Sequence, residues 1–320
     1  MPFDLKTIHT SQNGYDGSAG KADKSDKSDK RDKFRKHDKP DEKSICGEFG
    51  KTTSERRKAA LITGAGVGIG RGIAYKLADA GYDIAVNFNS SCSEAEEVCE
   101  SINSSCRGVK AVPIKADISD IAQVKMLFAE FGRHFGSLDL FVNNAGITKK
   151  ESFLDTDEAM FDQICGVNFK GAFFCVQKAA KYMITHNTLN KADNNNAEGE
   201  TKGDGPGTLG SVVVISSNHY AMHSEDVSLY GSVKAALNKM AEHAALELAK
   251  YGIRVNIIAP GWTDTGAPRM APKEGTLGKI PLKRWCTPEE IGEAVLFISS
   301  PHAASVTGAC LMIDGGAWLI

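Results

Sequence analysis

The chain has 320 residues, 42% of them hydrophobic, enough for one large α/β domain or two small ones with a sizeable core. A formal net charge of −2 gives no bulk attraction to nucleic acid or to an anionic membrane. No segment approaches the ~18 apolar residues a membrane span needs. Eight cysteines (Cys46, Cys92, Cys99, Cys106, Cys165, Cys175, Cys286, Cys310) lie scattered without C-x-x-C spacing. That pattern fits reduced thiols better than a disulfide framework or a zinc site, so the expectation is a cytoplasmic protein without a metal.

Residues 1–55 stand apart. Lys21 to Ser44 is close to a repeated D-K-S triplet with almost no apolar side chain. Such a stretch cannot bury enough surface to offset the entropy of ordering, so a disordered charged tail is expected, serving as a solvated tail or an electrostatic tether. Its many acids argue against a mitochondrial presequence.

From residue 56 onward, short apolar runs alternate with amphipathic stretches. Lys58–Thr63 predicts a buried strand, followed by glycines and a helix from Gly70 to Ala80. Tyr82–Phe88 predicts the next strand and Ser93–Asn103 the next helix. Ala111–Lys115 then runs to Asp117, with a helix over Asp120–Phe135 and a strand over Leu138–Val142. Two helices are expected over Asp157–Val167 and Lys170–Thr185. The polar, aperiodic stretch 186–210 reads as an inserted surface loop. Ser211–Ile215 predicts a strand, Tyr230–Tyr251 a long helix, Arg254–Ile258 a strand, Pro288–Ile298 a helix and Ala309–Ile313 a last strand. Apolar runs of this length between helices indicate a parallel sheet covered on both faces. The expected fold is α/β, a single doubly wound Rossmann-type domain over residues 56–320. In that topology the inserted loop joins the edge opposite the ligand crevice.

Thr63-Gly64-Ala65-Gly66-Val67-Gly68-Ile69-Gly70 falls between the first strand and the first helix. Glycines there permit a tight turn and close backbone approach to a pyrophosphate, and the helix N-terminus adds N–H groups and positive dipole. An acid at the end of the second strand would favour NAD by binding the ribose hydroxyls. Here that segment is Asn87-Phe88-Asn89-Ser90-Ser91, with no acid before Glu94. Asn89 and Ser90 can donate to a 2′-phosphate, so NADP is preferred over NAD. Val67 is not basic, and Arg71 either assists or faces solvent.

Tyr230 and Lys234 lie four apart, on one face of the long helix. A tyrosine of pKa ~10 is a poor base at neutral pH, and a nearby lysine cation favours its phenolate. Ser217 follows the strand Ser211–Ile215 and faces the crevice at the end of a parallel sheet, where its hydroxyl can polarise a reacting oxygen. Ser216 is the rival, with a longer spacing to Tyr230. His219 and His223 sit in an irregular loop without an acid at helical spacing, which suits pocket lining better than metal binding.

With these pieces in order, the chain resembles the short-chain dehydrogenase/reductase family of the compact type. The matching pieces are TGAGVGIG at 63–70, Asp117, NNAG at 143–146, Asn168, Ser217, YGSVK at 230–234, PGWTDT at 260–265 and DGG at 314–316. The resemblance implies that Tyr230 is the catalytic acid/base and that Ser217 positions the carbonyl or alcohol. Lys234 lowers the tyrosine pKa and binds the nicotinamide ribose, and Asn168 holds a water in a proton relay to Lys234. Asp117 meets the adenine unless it only caps the next helix. The cofactor cleft is further expected to involve Gly64, Gly68, Ile69, Gly70, Asn144, Ala145, Gly146, Pro260, Gly261, Thr263 and Thr265. Around the second strand and PGWTDT the chain is similar to glucose 1-dehydrogenases, and also to 3-oxoacyl-carrier-protein reductases. A small-molecule substrate follows, a sugar or polyol first and a 3-oxoacyl thioester second. The segment Gly266–Cys286 is net basic and suited to a lid. A reading of another class is a cofactor-binding redox sensor or scaffold without turnover. By the same resemblance a homotetramer or homodimer is expected.

Overall fold

Seven strands form one parallel sheet in the order β3-β2-β1-β4-β5-β6-β7. They are β1 (Ala59–Ile62), β2 (Asp83–Phe88), β3 (Ala111–Lys115), β4 (Leu140–Asn143), β5 (Gly210–Ile215), β6 (Ile253–Pro260) and β7 (Cys310–Ile313). The computed structural model describes residues 56–105, 108–187, 208–266 and 274–320. The tail expected over 1–55, most of the loop expected over 186–210 and part of the expected lid lie outside the described residues.

The strands are short and apolar because both faces are covered. β1, β4, β5 and β6 are buried along their whole length, so alternation gives way to continuous apolar runs such as SVVVI. One face packs against α3 (Ile121–His134), α5 (Ala172–Tyr182) and α6 (Ser228–Leu248), through Leu127, Phe131, Cys175, Leu237 and Ala241. The other packs against α1 (Gly68–Asp79), α2 (Cys92–Ser104) and α7 (Pro288–Ser299), through Ile73, Leu77, Val98, Ile291 and Val295. This is the doubly wound α/β Rossmann-type architecture.

Local chemistry sets the helix starts. Asp120 caps α3 by accepting from Ala122 N at 2.8 Å. Thr287 and Glu290 form a reciprocal capping box at α7, with Pro288 in its first turn. α7 lies directly on α1, and Gly72 makes that possible: a Cβ there would stand 2.4 Å from Pro288 Cβ and 2.9 Å from Pro288 O.

The two helices expected over Asp157–Val167 and Lys170–Thr185 are one continuous helical run. It begins as α4 (Glu158–Cys165), widens into a π-helical stretch over Gly166–Gly171, continues as α5, and ends in a second π-helical stretch over Met183–Asn187. Residues Val167 to Lys170 read as a break because the π stretch shifts the apolar period.

The order of strands reverses between β1 and β4. β1 pairs with β2 on one side (Ile62 with Val86) and with β4 on the other (Ile62 with Val142). Connections leaving β1 and β4 diverge to opposite faces, which opens a crevice at the carboxyl ends of the strands.

Gly72→Ala tests the helix contact. Helix propensity alone would favour alanine by ~1 kcal/mol. The clash with Pro288 backbone dominates, and a net loss of about 1–3 kcal/mol in urea unfolding is expected.

Candidate active site

The crevice is a cleft of 460 Å³ running from the ends of β2 and β3 to the start of α6. Its floor is the turn after β1. Gly64 has φ +63°, and a Cβ on Gly70 would lie 2.3 Å from Gly64 O and 2.5 Å from Asn144 Nδ2, so the turn closes only with glycine at Gly70. Val67, at the N-cap of α1, provides no side-chain cap, leaving first-turn N–H groups of a 12-residue helix without that partner.

Hydrogen bonds from β4 hold the turn in place. Asn144 Nδ2 donates to Thr63 O (2.9 Å) and Gly64 O (3.0 Å). Thr63 Oγ1 accepts from Asn144 N (2.9 Å) and Ala145 N (3.0 Å). On the other side, buried Asn87 accepts from Gly64 N at 3.3 Å and donates to Ile114 O and Ala116 O, both at 3.1 Å. Four strand ends thus share one polar stitch around the glycine turn.

At one end of the cleft stand Asn89, Ser90, Ser91 and Asp117. Asp117 does not cap α3, a role Asp120 takes; its Oδ1 accepts from Ser119 N (2.8 Å) and Ser119 Oγ (2.7 Å). At the other end stand Tyr230 and Lys234. Lys234 is 4% exposed, donates from Nζ to Ile215 O at 3.1 Å, and has its Nζ 5.7 Å from the Tyr230 ring centroid. A buried ammonium with one backbone acceptor retains donor capacity for a ligand.

Of the residues expected at the site, Gly64, Ile69, Gly70, Asn89, Ser90, Asp117, Asn144, Ala145, Gly146, Tyr230, Lys234 and Thr265 line this cleft. Gly68 lines an adjoining depression together with Arg71 and Thr265. Arg71 lines that depression and not the cleft at the end of β2. Asn168 stands behind the wall, buried within the π-helical stretch. Its side chain accepts from Ile147 N and donates to Ile147 O, both at 2.8 Å. An added Cβ on Gly146 would lie 3.2 Å from Asn168 Oδ1 and 3.7 Å from Lys234 Nζ, which brings these side chains to one place.

Ser217, Pro260, Gly261 and Thr263 are not among the lining residues. Gly261 N donates to Ile313 O at 2.8 Å, and Thr263 Oγ1 donates to Gly261 O at 3.2 Å, so the segment supports the wall that presents Thr265. Ser217 caps a short 3-10 turn, its Oγ accepting from His219 N at 3.2 Å. Its neighbour Ser216 lines the cleft, with an enclosed and unpartnered Oγ. Ala116, Ile118, Ile147, Thr148 and Val167 also line the cleft, and no motif in the sequence marks them. Each lies after a strand end or on the π stretch, the only signal that could have found it.

The donor set fits a dinucleotide: a glycine turn at a helix N-terminus, polar side chains at one end, and an ammonium with free donors beside a phenol at the other. The short chain dehydrogenase model matches residues 58–192, and the model described as enoyl-(acyl carrier protein) reductase matches residues 199–317. A 3-oxoacyl-(acyl-carrier-protein) reductase of Staphylococcus aureus is 35% identical, over 82% of this chain and 98% of that protein. The L-rhamnose 1-dehydrogenase (NAD(P)(+)) of a Sphingomonas strain is 32% identical, over 82% and 96%. The crystal structure of acetoin dehydrogenase from Enterobacter cloacae superposes with a TM-score of 0.70 at 32% identity, over 82% of this chain and 96% of that one. The chain belongs to the short-chain dehydrogenase/reductase family. It is an NAD(P)-dependent oxidoreductase.

Asn144→Ala would remove both donors to the glycine turn and leave two carbonyls short of partners. A stability loss of ~1–3 kcal/mol is expected. Cofactor affinity should fall about tenfold, read by fluorescence titration.

Proposed function

We propose that this enzyme transfers hydride between a nicotinamide cofactor, NADP in preference to NAD, and a carbon bearing a secondary alcohol or ketone of a sugar or polyol. The observation that carries the reading is the placement of Tyr230 and Lys234 in the same cleft as the glycine turn.

The cofactor supplies or accepts the hydride; the side chains manage the proton and the geometry. Tyr230 gives its phenolic proton to the substrate oxygen during reduction and takes it back during oxidation. Lys234, held by Ile215 O, stabilises the phenolate with its charge and has donors left for the nicotinamide ribose. Ser217, at the end of β5, orients the substrate oxygen and polarises it. Asn168 fixes the Ile147 backbone beside Lys234, and a water held there relays protons to the lysine. Gly64, Gly68, Ile69 and Gly70 face the pyrophosphate, Asp117 the adenine, and Thr265 the other end of the cofactor. Pro260, Gly261 and Thr263 act by holding Thr265 in place.

Support for NADP comes from the end of β2, where Asn89, Ser90 and Ser91 include no acid. A basic residue also arrives from the neighbouring strand: Lys115 pairs in register with Phe88. Desolvation raises the Cys92 thiol, Glu96 adds to the rise, and the charge of Lys115 opposes it. The register thus brings a positive charge to the strand beside the end of β2, which supports a 2′-phosphate there. The L-rhamnose dehydrogenase carries NAD(P)(+) in its name, so both cofactors have precedent among the relatives.

A second reading is reduction of a 3-oxoacyl thioester, favoured by the 35% identity to the Staphylococcus aureus reductase. The protein is further proposed to be cytoplasmic, with one catalytic domain from residue 56 onward that assembles as a homotetramer or homodimer. Among the described residues no helix is long and apolar enough to cross a membrane.

A screen of sugars, polyols, ketones and 3-oxoacyl esters with each cofactor, followed by absorbance of the reduced nicotinamide, tests the activity. Turnover is expected, and Tyr230→Phe should lower kcat on the order of a thousandfold with cofactor affinity nearly intact. Tight cofactor binding without turnover of any substrate would favour a redox sensor. Lys115→Ala should weaken NADP about threefold while leaving NAD unchanged in titrations, a modest effect because the site is exposed.

A further inference from the structure

The imidazole of His219 packs beside Tyr230. Its ring stands edge-on to the Tyr230 ring, 6.2 Å between centroids at 75°. Its backbone is fixed on the other side, where its N–H donates to Ser217 Oγ at 3.2 Å. The following turn is fixed as well: Tyr220 N donates to Ser217 O (3.0 Å), and Met222 N donates to Asn218 O (2.9 Å). Asn218 Nδ2 also meets Met222 Sδ at 3.1 Å. The imidazole is therefore placed by backbone and packing.

The two ring nitrogens differ. Nδ1 is enclosed and has no hydrogen-bond partner. Nε2 makes no hydrogen bond to any described residue, and the residue is only partly buried. Burial holds the imidazole below its ordinary pKa, and the charge of Lys150 acts in the same direction, so the neutral ring is the working form. A neutral ring carries one proton. Placing it on Nδ1 would enclose an orphan N–H, the costlier of the two choices, whereas a bare enclosed acceptor is better tolerated. The proton therefore belongs on Nε2, which becomes a donor without a protein partner on a ring that stands edge-on to Tyr230.

We infer that His219 is a specificity-determining residue, whose Nε2–H donates to a second substrate oxygen on the carbon next to the one that exchanges hydride. The inference rests on the proposed role of Tyr230 and deepens the sugar or polyol reading. Tyr230 and Ser217 both serve the reacting oxygen, leaving His219 for its neighbour. Substrates with vicinal oxygens, such as aldoses with a 2-hydroxyl and hydroxyketones, complete the donor; an isolated ketone leaves it unpaired. A site built around a polar partner discriminates strongly against an analogue that lacks it.

Two matched pairs test this with the full-length enzyme: oxidation of D-glucose against 2-deoxy-D-glucose, and reduction of 3-hydroxybutan-2-one against butan-2-one. The wild type should favour the vicinally oxygenated member of each pair it turns over. His219→Leu should reduce that preference in kcat/KM about tenfold, and His219→Gln, which restores a donor, should recover most of it. An equal loss on both members of a pair would mean a structural role and overturn the inference, as would an unchanged ratio. If all four compounds fail but a 3-oxoacyl thioester is reduced, the vicinal-oxygen assignment falls while the Tyr230 mechanism stands. If the wild type turns over the pairs and Tyr230→Phe remains active, the proposed mechanism falls instead.

Discussion

The polar stitch between Thr63, Asn144 and the glycine turn is the constraint on which the cleft depends. A doubly wound sheet opens a crevice wherever its strand order reverses, but the crevice is useful only if the two diverging loops hold fixed positions. Here the side chain of Asn144 serves two carbonyls of the β1 turn, and the hydroxyl of Thr63 serves two amides of the β4 turn. The exchange is reciprocal, so neither loop can move without exposing unpaired backbone groups. Asn87 extends it to β3 through Ile114 O and Ala116 O. The glycine at Gly70 lets these groups approach, since any side chain there would enter the stitch itself.

The reactive end depends on this anchoring in a second way. Lys234 comes from α6 and is held by the last residue of β5, while Gly146, from the stitched loop after Asn144, separates it from Asn168. The π-helical stretch at Gly166–Gly171 is where the chain turns Asn168 towards the Ile147 backbone. A regular helix would not keep both that contact and the packing of α5 on the sheet at the same register. In the proposed function, proton handling and cofactor seating thus share a wall, with polar partners that are backbone atoms of the sheet ends.

Much of this was legible in the residues alone. β3 spans Ala111–Lys115 as its apolar run indicates, and each other strand lies within a few residues of its expected place. Tyr230, Lys234 and the glycine turn were readable because their chemistry depends on local spacing. Long-range placements were not. Asn87 looks like an ordinary strand residue until β1 and β3 flank it. Lys115 reads as the exposed end of a strand, and its nearness to the end of β2 follows only from the register Phe88–Lys115. Periodicity divides the run from Glu158 to Asn187 in two because it assumes a constant 3.6-residue turn. Arg71, adjacent in sequence to the glycine turn, lies in the neighbouring depression instead, since one helical residue further on is a rotation of about 100°.

In the proposed function this cleft carries hydride between a nicotinamide and an oxygenated carbon. The most direct measurement uses reduced cofactor deuterated at nicotinamide C4, on the transferring face, with a ketone substrate identified by turnover, and mass analysis of the product. One deuterium is expected on the product carbon that bears oxygen, delivered by the wild-type enzyme and lost with Tyr230→Phe. Deuterium retained in the cofactor while product forms, or undiminished transfer by Tyr230→Phe, would contradict it.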